Sequence, residues 1–166
     1  MKMRLKTTGI DKVIKRLDGY KNQLPGKMNL LMERLAVIGA YRARADFSAA
    51  MYAGDNDVEI TVNAIANGYE VVASGKSVLF IEFGTGVINP EHPKSGELGF
   101  SHGTYGQGKG ANENGWVYVG EQGNAGQTVR EGVYRTRGNP PAKAMYNSSE
   151  EVRRRIQEIA REVFNS

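Results

Sequence analysis

Two histidines, His92 and His102, are all the chain offers for imidazole chemistry, and Glu91 and Glu97 stand close enough in sequence to suggest a metal site. A metal needs several convergent ligands, and this stretch has no periodic element to hold them, so the expectation is exposed loop histidines. The run Gly103-Thr104-Tyr105-Gly106-Gln107-Gly108-Lys109-Gly110 has phosphate-loop spacing up to its lysine. Gly110, however, stands where a Ser or Thr must hold magnesium, and no strand–loop–helix context surrounds it. Asp55, Asp57 and Glu59 imitate the start of a calcium loop, but Ile60 and Ala66 replace the glycine and the closing glutamate it requires. Ser74, Ser77 and Ser101 lack the elbow that exposes a catalytic serine. Asn147-Ser148-Ser149 matches a glycosylation sequon inside a predicted helix. The residue types thus predict no catalytic, cofactor-binding or metal site.

The elements that would position these residues read as α+β. Thr8 is expected to cap a first helix with Asp11 reaching back, and Ile10, Val13, Ile14, Leu17 and Leu24 follow at helical spacing. Leu24-Pro25-Gly26 should break it. A second helix is predicted over 27–50, with Met28, Leu31, Leu35, Ile38, Ala45 and Ala49 as its stripe, making a helical hairpin. Val58, Ile60, Val62 and Ala64 alternate with polar residues, the period of a half-buried strand, and Asn67-Gly68 supplies a turn. A return strand over 69–73 would pair Ala66 with Tyr69, Ala64 with Val71 and Val62 with Ala73. Residues 78–83 form an apolar run that periodicity leaves open between strand and short helix. A long Gly-rich loop, expected to be flexible, spans about 87–115. Residues 116–119 and 129–136 read as antiparallel strands. Asn139-Pro140-Pro141 should open a C-terminal helix lined by Met145, Val152, Ile156, Ile159 and Val163 and packed on the small antiparallel sheet. On that helix Glu150–Arg154 and Glu151–Arg155 are expected ion pairs.

Length and composition suit a single domain over 1–166, large enough to bury a core unaided. With no cysteine there is no disulfide framework, thiolate zinc site or cysteine nucleophile. No apolar run approaches a bilayer span, and the basic start Met1-Lys2-Met3-Arg4 has no apolar stretch behind it, so neither membrane nor secretion is expected. The net charge of +4 favours acidic neighbours only mildly.

Two short segments carry a family resemblance. The apolar run ending in Glu82-Phe83-Gly84-Thr85-Gly86, and the turn Arg137-Gly138-Asn139-Pro140-Pro141-Ala142 before the terminal helix, resemble the paired signatures of the neck or minor tail-component (head–tail joining) family of long-tailed bacteriophages. The order of elements is similar along nearly the whole chain. One departure follows Pro141-Ala142, where Ala144-Met145 stands in place of the family's Pro-Phe. The resemblance implies a structural virion protein without catalysis or cofactor, assembled in the host cytoplasm. It would form a homo-oligomeric ring, six-fold by the resemblance, joining head-completion or connector proteins to tail terminator or tail-tube proteins. Glu82, Phe83, Gly84, Thr85, Gly86, Gly138, Pro140, Pro141 and Ala142 are the signature and interface candidates.

The residues leave several roles open. Glu82 could occupy the exposed side of an edge strand, pair with Arg42, or pair across a subunit boundary, since a lone buried carboxylate costs several kcal/mol. Arg153, Arg154, Arg155 and Arg161 could face packaged DNA in a ring lumen or form a solvated helix face. A non-enzymatic DNA-binding protein is the alternative reading.

Overall fold

A computed structural model describes residues 8–50, 57–85, 92–99, 114–122 and 126–165. Its elements run α1 (Thr8–Ala49), β1 (Glu59–Ile65), β2 (Gly68–Ser74), α2 (Val78–Phe83), α3 (Ser95–Leu98), β3 (Trp116–Val119), β4 (Gln127–Arg130), β5 (Val133–Thr136) and α4 (Ala144–Asn165). The class is α+β, with corrections to its parts.

The expected helical hairpin is instead one helix of 42 residues with Pro25 inside it. Proline there leaves the Lys21 carbonyl without its usual donor. Both residues are exposed, so water can serve that carbonyl, and Leu24 and Leu31 keep one apolar seam across the proline.

The second correction concerns α4, which packs along α1 and not on a sheet. Leu31 and Leu35 of α1 meet Ile159 and Val163 of α4 in one buried cluster. Small residues bring the two backbones close: Ser148 Oγ donates to the Gly39 carbonyl at 2.8 Å, and a Cβ on Gly39 would lie 3.1 Å from Val152. Of the expected apolar line, Ile159 and Val163 are buried and Ile156 is exposed. The sheet prediction conflated two structures, a two-stranded β1–β2 hairpin and a separate three-stranded β3–β5–β4 sheet.

The hairpin lies on α1, where Ile60 joins Ala40, Ala43, Phe47, Ile81 and Ala144 in a second cluster, and Arg44 clamps it by donating to the Ile60 carbonyl at 2.7 Å. Its register differs from expectation by two residues: Ala64 pairs with Tyr69, Val62 with Val71 and Ile60 with Ala73. A slip of two returns every side chain to the same face, so the apolar pattern cannot distinguish the two registers. The turn residues are Ala66 and Asn67, and the positive φ falls on Gly68 at 151°.

The run 78–83 resolves as a short helix. Asp57 clasps its entry, accepting from the Lys76 and Ser77 backbone N–H groups at 2.7 and 3.1 Å. The predicted strand over 129–136 divides at Glu131-Gly132 into β4 and β5, and β5 is the strand that pairs with β3.

Candidate functional site

Glu82 is the polar group around which the two signature segments meet. Its α2 position turns the side chain inward, leaving it 5% exposed, so neither the exposed edge-strand placement nor the pairing with Arg42 holds. Arg42 pairs with Asp46 instead, at 3.0 Å. Glu82 sits at the start of α4, where the first backbone N–H groups of a helix have no partner within it. Met145 N–H donates to Oε2 at 2.8 Å and Tyr146 N–H to Oε1 at 3.0 Å. The carboxylate thus caps α4 from 63 residues away in sequence, where its charge also opposes the helix dipole.

His92 completes the arrangement and overturns the exposed-histidine expectation. It is 4% exposed, with Nε2 at 2.9 Å from Glu82 Oε1. Its Nδ1 accepts from the Lys94 backbone N–H at 3.0 Å, so the ring proton belongs on Nε2, which donates to Glu82. Phe83 and Tyr146 hold the ring, with centroids 4.4 and 5.5 Å away. A glutamate and a histidine in contact invite an acid–base reading. Here both imidazole nitrogens and both carboxylate oxygens are engaged within the chain, so the pair ties α2, the start of α4 and the His92 segment together.

Backbone pairing extends the joint through the remaining signature residues. Ala142 N–H donates to the Ile81 carbonyl at 2.8 Å, Lys143 N–H to that of Glu82 at 3.2 Å, and Thr85 N–H to that of Asn139 at 2.9 Å. Thr85 Oγ1 accepts from Asn139 N–H at 2.9 Å, while Thr136 Oγ1 accepts from Gly138 N–H at 3.0 Å. Gly84 has φ 75°, and a Cβ there would stand 2.6 Å from both the Asn139 carbonyl oxygen and the Pro141 nitrogen, so only glycine fits. Pro140 is exposed, Pro141 and Ala142 are half-buried, and Lys143 takes φ 59° just before α4 begins. Gly86, Glu91, His102, the 103–110 glycine run, Asp55 and Ser101 lie outside the described residues.

Beside the joint is an open cleft of about 380 Å³, lined by Val78, Leu79, Leu98 and Met145 among others, with Glu82 and His92 in its wall. Among the described residues no group of three His, Asp or Glu converges as metal ligands. No described helix is long and apolar enough to cross a membrane.

The arginines of α4 are separate from this joint. Arg153 pairs with Glu150 at 2.6 Å, Arg154 with Glu151 at 2.7 Å and Arg155 with Glu158 at 3.2 Å. The spacing is i,i+3 throughout, in place of the expected i,i+4 pairs, and Arg161 is exposed. Sequence reasoning considered His92 only as an exposed loop histidine and missed its pairing with Glu82. The one signal was chemical: Glu82 in an apolar run required a partner. Compared with protein-family models, curated proteins and solved structures, the chain matches none of them.

Proposed function

We propose that this chain is a non-enzymatic virion component of a long-tailed bacteriophage, a ring-forming connector at the head–tail junction. One observation carries the reading: the two segments that resemble the family's signatures, far apart in sequence, are hydrogen-bonded to each other in one buried joint. Such linkage is what a shared structural signature requires, since each half is meaningless without the other. The joint's polar atoms are spent on holding α2 to α4, which favours a scaffold over a catalyst. Its partners on this reading are further copies of the chain, head-completion proteins above and tail terminator or tube proteins below. The DNA-binding alternative has less behind it, because three of the four candidate arginines are matched by glutamates on their own helix.

Complementation tests the proposal. A phage lacking this gene should accumulate unjoined heads and tails, counted by electron microscopy, and the full-length chain should restore joined particles. Normal particles without the protein would overturn it.

A further inference from the structure

α1 carries two uncovered apolar surfaces on different faces. The first is the stripe Ile10, Val13, Ile14 and Leu17, each half or more exposed, with Leu17 at 62%. The second is Leu30, Val37 and Tyr41, one face by their spacing with Arg34 between them, and Tyr41 is 75% exposed. We propose that they are the two halves of one head-to-tail contact, in which the stripe of one copy of this chain packs on the Leu30–Val37–Tyr41 patch of the next.

The stripe is built as a helix-packing seam. Ile10, Leu17, Leu24, Leu31 and Ile38 recur every seventh residue along α1, the repeat of helices that pack side by side. At Leu31 and Leu35 the seam is filled by α4. Among the described residues α4 follows the seam as far as Lys27, whose Nζ donates to the Phe164 carbonyl at 3.3 Å, and from there toward Ile10 the seam is exposed. The projecting half is also a poor helix by itself. Gly19, Gly26 and Pro25 are the weakest helix formers there are, so packing must sustain it.

The chain supplies the matching surface. At 1.5 Å per residue, Ile10 to Leu24 spans about 21 Å and Leu30 to Tyr41 about 17 Å. Each surface ends near a tyrosine, Tyr20 by the stripe and Tyr41 in the patch, and Arg34 within the patch has its charge met by Glu162 of α4 at 3.5 Å. The outer face of α4, by contrast, carries the paired arginines and glutamates. Two copies joined stripe to stripe would leave both patches in water. Head-to-tail contact covers both surfaces on every copy once it closes. That closure into a ring rests on the connector reading; the contact itself does not.

The test uses full-length Leu17→Glu and Tyr41→Glu, alone and mixed, in sedimentation velocity. Wild type should assemble as concentration rises. Each variant alone should associate about tenfold or more weakly and sediment as a monomer. Their equimolar mixture should regain a dimer, because Tyr41→Glu contributes an intact stripe and Leu17→Glu an intact patch. Wild type that stays monomeric overturns the proposal, as does a mixture that forms no dimer. Tyr41→Glu assembling like wild type would replace head-to-tail with stripe-to-stripe pairing and overturn it too. If wild type assembles and neither variant disturbs it, the contact is refuted while the particle counts still decide the connector reading.

Discussion

The joint at Glu82 and the projecting half of α1 are opposites in how they satisfy themselves. At the joint, a buried carboxylate, a buried imidazole and the free N–H groups of a helix start all find partners inside one chain. Along residues 10–17 of α1, four aliphatic side chains face solvent, and none of the described residues covers them. A group answered internally makes fold; a surface left unanswered invites a partner. Changes at the joint should therefore be read in stability, and changes on the stripe in assembly.

The sharpest break of that contrast is Glu82→Ala. It leaves the His92 Nε2–H and two backbone donors of α4 without acceptors in a buried place. Loss of about 3–5 kcal/mol is expected, from uncapping plus unsatisfied buried donors. Chemical denaturation measures it, and Glu82→Gln, which keeps one carbonyl acceptor, should fall between. A near-silent Glu82→Ala would mean that the joint does not hold α4.

His92→Ala should cost about 1–3 kcal/mol by the same measurement, through a lost buried hydrogen bond and lost ring packing between Phe83 and Tyr146. An unchanged midpoint would return His92 to the exposed-loop role its sequence context suggests.

Leu17→Glu sits on the other side of the comparison. Being 62% exposed, it should alter the monomer's stability by no more than about 0.5 kcal/mol while abolishing assembly. Denaturation at a concentration below that of association, set beside sedimentation above it, separates the two effects. A large stability loss in the dilute monomer would show that the stripe already packs within one chain.

The contrast also explains what was legible in the sequence. Local patterns gave the strands β1, β2 and β3 almost to their ends, because period and turn chemistry are written within a few residues, but α4 begins at Ala144 and not at Pro140 and Pro141, expected to open it. Pro25 misled because a helix breaker was weighed without its surroundings: an exposed proline in a long seam is tolerated where a buried one would not be. The hairpin register slipped by two because alternation repeats every two residues, leaving the choice to the turn. Residues 78–83 were ambiguous, since a six-residue apolar run has no room to display its period. Glu82 was recognised as needing a partner, but the partner came from a loop and from a helix start 63 residues on, which spacing cannot encode. The stripe on 10–17 was read correctly as apolar and amphipathic. That no described residue would cover it depended on how α4 packs along α1, a fact of the fold alone.

The smallest expected effect lies at Asp57, a third way of satisfying a polar group, on the surface and mainly by backbone N–H groups. Its carboxylate accepts from the Lys76 and Ser77 N–H groups at the entry of α2, and these bonds, Lys76's first, hold its pKa below the ordinary 3.8. Gly75 completes the clasp: its φ is 143° and a Cβ would meet the Asp57 carbonyl oxygen at 2.5 Å. The sign follows from linkage. A carboxyl with a depressed folded-state pKa adds stability that is fully present above its unfolded value, and loses it as pH falls through the folded one. Wild type should therefore melt slightly above Asp57→Asn near neutral pH, since Asn offers one acceptor oxygen where the carboxylate offers two. The difference in Tm should shrink once pH drops below 3.8 and vanish when the carboxyl is protonated in both states. A difference that stays constant down to the acid transition would mean that the aspartate acts through its shape and not its charge. Because the group is exposed, screening makes the effect fade with added salt as well, whereas the Glu82 joint, buried from water and ions, should lose little of its contribution under the same salt.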